Sequence, residues 1–302
     1  MPREVTIVSV ADVPAEEQSI GREGRIIAKT FPLDTGAAKV GMDFTWIVHS
    51  KGYGTPRHRH TFDQFRYTLS GVRQQDDGNI LAGQCGYFPE GVPYGPQLQD
   101  EEEVGLILQF EGPSGIPYIT HTELDAARQR LVAEGGTFAK GVYTRALPDG
   151  TKINKDSHAA CFEAVTGKKM EYPEPRFSAP LIMKPEHCRW VADRNHRGVE
   201  HKHLGTFGER RSGVGLMRLK PGATIPAGRQ DDAEIRYLTE GSLSYGGKTW
   251  HGGTTAELGT YMYIPPNADV KAIGSETGGT FFVIMLPMIA ELEVERGTAQ
   301  AA

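Results

Sequence analysis

Cysteine is scarce in this chain of 302 residues: Cys85, Cys161 and Cys188 are odd in number and far apart. That excludes a disulfide framework and a CxxC zinc ribbon, so any metal has to use other ligands. Long hydrophobic runs are missing too; the longest, Phe281 to Leu286, stops at Pro287 and reads as a buried strand rather than a membrane span. There is no block of basic residues. Thirty-three Lys and Arg against 38 Asp and Glu give a net charge of −5, which lacks the electrostatic footprint of a nucleic-acid binder. The start shows no signal-peptide pattern, and a cytoplasmic protein with a small-molecule partner, no membrane and no nucleic acid is expected.

Glycine (37) and proline (19) are plentiful, and they punctuate short runs rich in Val, Ile, Thr, Tyr and Phe. These runs recur through residues 39–111 and 213–287, so both stretches read as all-β. Between them, Leu124, Ala127 and Leu131 fall on one helical face, with Thr122 as a cap and Gly135 as a stop. A second short helix is expected after Asp156, ending at Gly167. An internal repeat ties the two β-rich parts together. Asp63 to Gly71 aligns with Ala233 to Gly241 through a shared Arg-Tyr pair and closing glycine, and Gly83 to Pro89 aligns with Gly259 to Pro265.

The chemistry-bearing constellation is Gly52, then His58-Arg-His60, then Gln64, Arg66 and Gly71. Side chains two apart on a strand point to one face, so the two imidazoles project together, and imidazole suits Fe, Mn, Ni, Cu or Zn. Gln64 and Arg66 share a face on the returning strand. Ten histidines produce roughly a third of one His-x-His by chance; His201-Lys-His203, which lacks the downstream frame, is read as incidental. Arg66 either clamps a substrate carboxylate or pairs with Asp63 or Asp76. Cys85 has no histidine spaced as a partner.

On these residues the sequence resembles the cupin superfamily, whose first motif has a glycine, a His-x-His pair, a glutamate three residues on and a closing glycine. Gln64 stands in the glutamate slot of that first motif, and the second motif is matched by Gly83, Pro89 and Gly91, with Tyr94 in the third histidine slot. In the second half, Gly228 and Gln230 stand in the histidine slots, Glu234 keeps the acid and Val270 fills the last. The resemblance implies an all-β bicupin: two double-stranded β-helix (jelly-roll) barrels, residues 1–111 and 179–302, joined by a partly helical linker, residues 112–178. It implies a divalent transition metal, Fe(II) first with Mn, Ni, Cu or Zn as the others, at His58, His60 and Gln64, and assembly as a homodimer; Arg66 and Tyr94 are the candidate catalytic residues, with Tyr94 standing as a phenolate ligand, as a base or as a wall of the pocket. The run His58-Arg-His60-Thr61 is similar to that of gentisate and salicylate dioxygenases, which implies an oxidoreductase acting on a small oxygenated or aromatic acid. A metal-dependent lyase or isomerase using Tyr94 as base, and a non-catalytic small-molecule binding protein, are the other readings.

Overall fold

The structure, a computed structural model, describes residues 4–18, 24–139 and 141–300. Two seven-strand paths carry the molecule. One runs Leu181–Met183, Cys85–Phe88, Asp63–Ser70, Glu103–Phe110, Met42–His49, Ile26–Thr30, Glu16–Gln18. The other runs Thr6–Ser9, Thr260–Ile264, Ala233–Tyr245, Gly279–Leu286, Ser212–Leu219, Val199–Phe207, Val191–Ala192. The two orders correspond strand for strand, and so do the registers. Gln64 lies opposite Phe88 and Gln109; Glu234 lies opposite Ile264 and Met285. His58 bridges Tyr94 as Gly228 bridges Val270. The repeat read from two short motifs therefore extends over the whole of each half, into strands at 6–9, 26–30 and 181–207 that are too short or too polar to announce themselves.

Each path borrows its first strand from the other half. Thr6–Ser9 is hydrogen-bonded to Thr260–Ile264, and Leu181–Met183 to Cys85–Phe88. Alternation along the strands then divides the side chains between two environments. Phe65, Tyr67, Phe44, Trp46, Leu106 and Leu108 pack outward with Ile235, Tyr237, Tyr261, Phe282 and Ile284 of the other sheet as one shared core. Rings meet across it: Tyr67 stacks on Phe282 at 4.3 Å and Phe31 on Tyr261 at 4.5 Å. Lys29, buried, donates to the carbonyls of Val10 and Ala256 and ties both ends of the chain to this core.

The inward faces differ. The C-terminal barrel is filled by Met217, Leu238, Met262, Phe281, Val283 and their neighbours. Among the described residues the N-terminal barrel holds two small apolar groups, around Ile47 and around Phe88, with polar side chains between them.

The linker is more than helical. Helix His121–Ala133 is capped by Thr120, not Thr122: the Glu123 carboxylate reaches back to the Thr120 backbone N–H and closes a capping box. Three residues after Thr122 stands the shorter Asp125, whereas three residues after Thr120 stands Glu123, the longer side chain that a capping box uses. Helix Ser157–Thr166 starts after Asp156 and ends at Gly167, in the left-handed conformation, as read from the sequence. Between the helices lies an antiparallel meander, Gly136–Ala139, Val142–Ala146 and Lys152–Asp156, which the sequence reading did not anticipate. Among the described residues no helix is long and apolar enough to cross a membrane.

Candidate functional site

The N-terminal barrel mouth is built from two backbone bridges. His58 N–H donates to Tyr94 O at 3.0 Å, Tyr94 N–H returns the bond at 2.8 Å, and Gly91 N–H donates to His60 O. These bonds set the His58 and His60 rings 5.0 Å apart between centroids and perpendicular, with the Tyr94 ring 4.5 Å from His58. His58 Nδ1 lies 2.7 Å from Pro56 O, which assigns its proton to Nδ1 and makes Nε2 the acceptor.

Arg66 organises the interior below. Its Nε donates to Gln64 Oε1 at 2.8 Å and its Nη2 to the Tyr94 hydroxyl at 2.7 Å. Its guanidinium covers the Phe88 ring at 4.6 Å and the Tyr94 ring at 5.0 Å. Burial pushes its pKa down to about 10, so it stays cationic at neutral pH. Since arginine only donates, the Tyr94 hydroxyl proton is directed to His60 Nε2, 2.9 Å away. Two donors of this group, Arg66 Nη1 and Gln64 Nε2, are buried and have no hydrogen-bond partner among the described residues.

Deeper still, His49, Arg73 and Glu103 form a buried triad. Glu103 Oε2 receives Arg73 Nη2 at 3.0 Å and lies 2.8 Å from His49 Nδ1. Burial and the Arg73 charge push His49 down to about 4. Burial alone would raise Glu103, but Arg73 and His49 outweigh it and hold the carboxyl below its usual range. The charged groups whose fields reach Arg66 are Arg73 and Glu103. With His49 neutral, the Arg66 and Arg73 guanidiniums and the Glu103 carboxylate give this group an excess of positive charge among the described residues.

The residues singled out by sequence thus come together: His58, His60, Gln64, Arg66 and Tyr94 share one interior. Neither expected acid partner of Arg66 is its partner here. Asp63 points to the opposite face, where it accepts from Tyr87 and from the Glu90 N–H, and burial pushes its pKa up to about 6. The triad escaped the sequence reading because His49, Arg73 and Glu103 lie on three separate strands. So did the roof over the mouth, which comes from the linker. His158 lies 6.3 Å from His60 and 6.0 Å from Phe62 between ring centroids, Tyr172 stacks under Arg59 at 4.2 Å, and Pro173 O sits against Gly91, where a Cβ would come within 2.3 Å. No local motif marks these. In the C-terminal barrel Glu234 pairs with Arg236, as the sequence suggested; His201 contacts Asp193 and His203 contacts Thr206.

These residues do not fit a resident metal ion in this arrangement. Gln64 Oε1 is engaged by Arg66 and His60 Nε2 by Tyr94. The Arg66 guanidinium adjoins Gln64, and no group of three or more His, Cys, Asp or Glu among the described residues is placed to hold a metal.

No family model matches the sequence, and no curated protein matches it. Solved structures do. A dioxygenase candidate from Nostoc punctiforme is 15% identical, with 96% of this chain and 85% of that one covered at a TM-score of 0.64. A candidate glyoxylate-induced protein from Pseudomonas aeruginosa is 10% identical, with 93% and 88% covered at 0.57. A variant of oxalate decarboxylase from Bacillus subtilis is 14% identical, with 94% and 78% covered at 0.51. At such identities the likeness speaks for the fold alone: the chain has an all-β fold of two cupin-type barrels.

Proposed function

We propose that the N-terminal barrel is an enzyme site for a small oxygenated or aromatic acid, which it works on by proton transfer. Arg66 Nη1 and Gln64 Nε2 anchor the carboxylate, and its charge offsets the excess positive charge of Arg66, Arg73 and Glu103. The Tyr94 hydroxyl is the reacting group. The Tyr94 proton passes to His60 Nε2, Arg66 Nη2 stabilises the transient phenolate, and that oxygen takes a proton from the carbon of the bound acid, which is left as an enolate opposite the protonated His60. Return of the proton to a neighbouring carbon gives an isomerase; loss of a leaving group gives a lyase. Two buried donors without partners, beside a Tyr–His pair, carry this reading. The neighbour named oxalate decarboxylase supports a small carboxylate as ligand.

The test is deuterium incorporation from D2O into a panel of 2-oxo, 2-hydroxy and hydroxybenzoic acids, followed by NMR. Tyr94-dependent exchange into one of them is expected. Absence of exchange and of carboxylate binding throughout the panel overturns the proposal.

A second reading, a metal-dependent dioxygenase, is favoured by the two imidazoles 5.0 Å apart and by the fold shared with the dioxygenase candidate. It requires Gln64 and Tyr94 to leave their present partners. Elemental analysis and dioxygen uptake decide it: a stoichiometric transition metal that disappears in His58→Ala/His60→Ala, together with dioxygen consumption on a hydroxy-aromatic acid, supports this reading, and a metal-free purified protein or no dioxygen uptake counts against it.

A further inference from the structure

We infer that the floor of the N-terminal barrel is a second subsite, and that the acid bound in this barrel carries a hydroxyl at the end opposite its carboxylate. The carboxylate end rests on the proposed reading of Gln64 and Arg66 as its anchor; Arg73, Gln75 and Glu103 serve the other end. Arg73 closes the short strand Val72–Arg73, and Gln75 bridges Gln97. The two are two residues apart and share a face, while Gln74 between them turns away to Asp100. Arg73 and Gln75 are 1% and 7% exposed, and Glu103 is fully buried. Each keeps one polar atom with no partner among the described residues: Arg73 Nη1, Gln75 Nε2 and Glu103 Oε1.

The first and last of these belong to one ion pair. Arg73 Nη2 donates to Glu103 Oε2 at 3.0 Å, so Nη1 and Oε1 each stand two covalent bonds from a shared contact. Gln75 holds its amide by accepting from Gln97 Nε2 at 3.3 Å, which leaves its own Nε2 unmatched. Glu103 Oε1 is turned along the barrel towards Arg66. A Cβ built on Gly105, the next inward residue of that strand, would come within 2.6 Å of it, and the inward residue after that, Ile107, lies opposite Arg66. Arg73 and Glu103 are close enough to act on the Arg66 charge, so the length of one small molecule joins the anchor to the floor. Ile107 and Ile80 belong to separate apolar groups and flank its carbon chain.

Two donors and one acceptor select the group that completes them. An alkyl end would leave all three atoms unpaired. A second carboxylate would face Glu103 Oε1 and turn the excess of positive charge into an excess of negative. An ammonium would face Arg73, and a carboxamide brings one N–H too many. A hydroxyl matches the count: its oxygen accepts from Arg73 Nη1 and Gln75 Nε2, and its proton goes to Glu103 Oε1.

Titration calorimetry on the whole chain tests this with matched sets of acids: γ-hydroxybutyrate against butyrate and succinate, and δ-hydroxyvalerate against valerate and glutarate. One of the hydroxy acids is expected to bind at least about tenfold tighter than both of its counterparts. Gln75→Met, of similar length but without the amide, is expected to lower that ratio severalfold and leave the affinity for the simple acid unchanged. Should Gln75→Met not fold, Arg73→Lys, which loses Nη1, serves with the same expected change. Arg66→Lys is expected to weaken hydroxy and simple acids alike and to keep the ratio. Simple acids binding as tightly as hydroxy acids would show that water alone completes the three atoms and would overturn the subsite while leaving the carboxylate anchor standing. A preference for the dicarboxylates, or a ratio indifferent to both floor variants, would overturn it too, and absence of binding by every acid would overturn anchor and subsite together.

Discussion

His49 and Asp63 lie on opposite faces of one sheet, and their pH dependences oppose each other. Burial holds His49 at about 4 against about 6.5 in an unfolded chain. Between those values the unfolded state carries a proton that the folded state refuses, so stability rises with pH through this window. Asp63, raised by burial to about 6, keeps a proton that the unfolded chain has lost above about 3.9. Its contribution is present at low pH and disappears as pH rises to 6. Each displacement corresponds to about 3 kcal/mol, and both side chains are buried, so the two slopes nearly cancel. His49→Gln should therefore unmask a stability that falls by about 3 kcal/mol between pH 4 and 6, and Asp63→Asn one that rises by about as much. Urea unfolding of wild type and both variants at half-unit pH steps measures this. The decisive quantity is the difference between curves. A His49→Gln profile parallel to wild type throughout pH 4–6.5 would refute the buried imidazole that resists protonation.

Tyr94→Phe removes the acceptor of Arg66 Nη2 and is expected to cost about 1–3 kcal/mol in urea unfolding while abolishing exchange of bound acids. Arg66→Lys keeps the charge but loses the fork that serves Gln64 and Tyr94; carboxylate affinity should fall at least about tenfold by calorimetry, equivalent to about 1.4 kcal/mol. Phe282→Ala opens the shared core under Tyr67 and should destabilise by about 3–5 kcal/mol, with fluorescence and circular dichroism still reporting one coincident transition.

Fold was legible where local patterns carry it. The Arg-Tyr-to-glycine repeat and the Pro89 and Pro265 turns place homologous strands in register, because strand length and turn chemistry are local properties. Gln64 and Arg66 were correctly set on one face, since alternation needs only the strand. What they do there was not legible. Whether Gln64 Oε1 meets a metal or the arginine two residues on depends on side-chain rotation, which spacing does not encode. Asp63, adjacent in sequence to that face, was a plausible partner only until the pleat sent it to the other side. The linker's His158 and Tyr172 reach the mouth through tertiary packing of a module whose own meander is polar and short.

The crossed first strands make the two halves interdependent. A fragment ending near residue 111 would keep Thr6–Ser9 with nothing to pair and would bare the Cys85–Phe88 edge; the complementary fragment would carry Leu181–Met183 unused and expose Thr260–Ile264. Bared edges invite aggregation, so neither piece should persist alone, whereas the two co-expressed should reassemble by handing each other the missing strand. Duplicated barrels joined this way cannot drift apart as independent modules, and loss of chemistry in one is compatible with its retention as the other's scaffold.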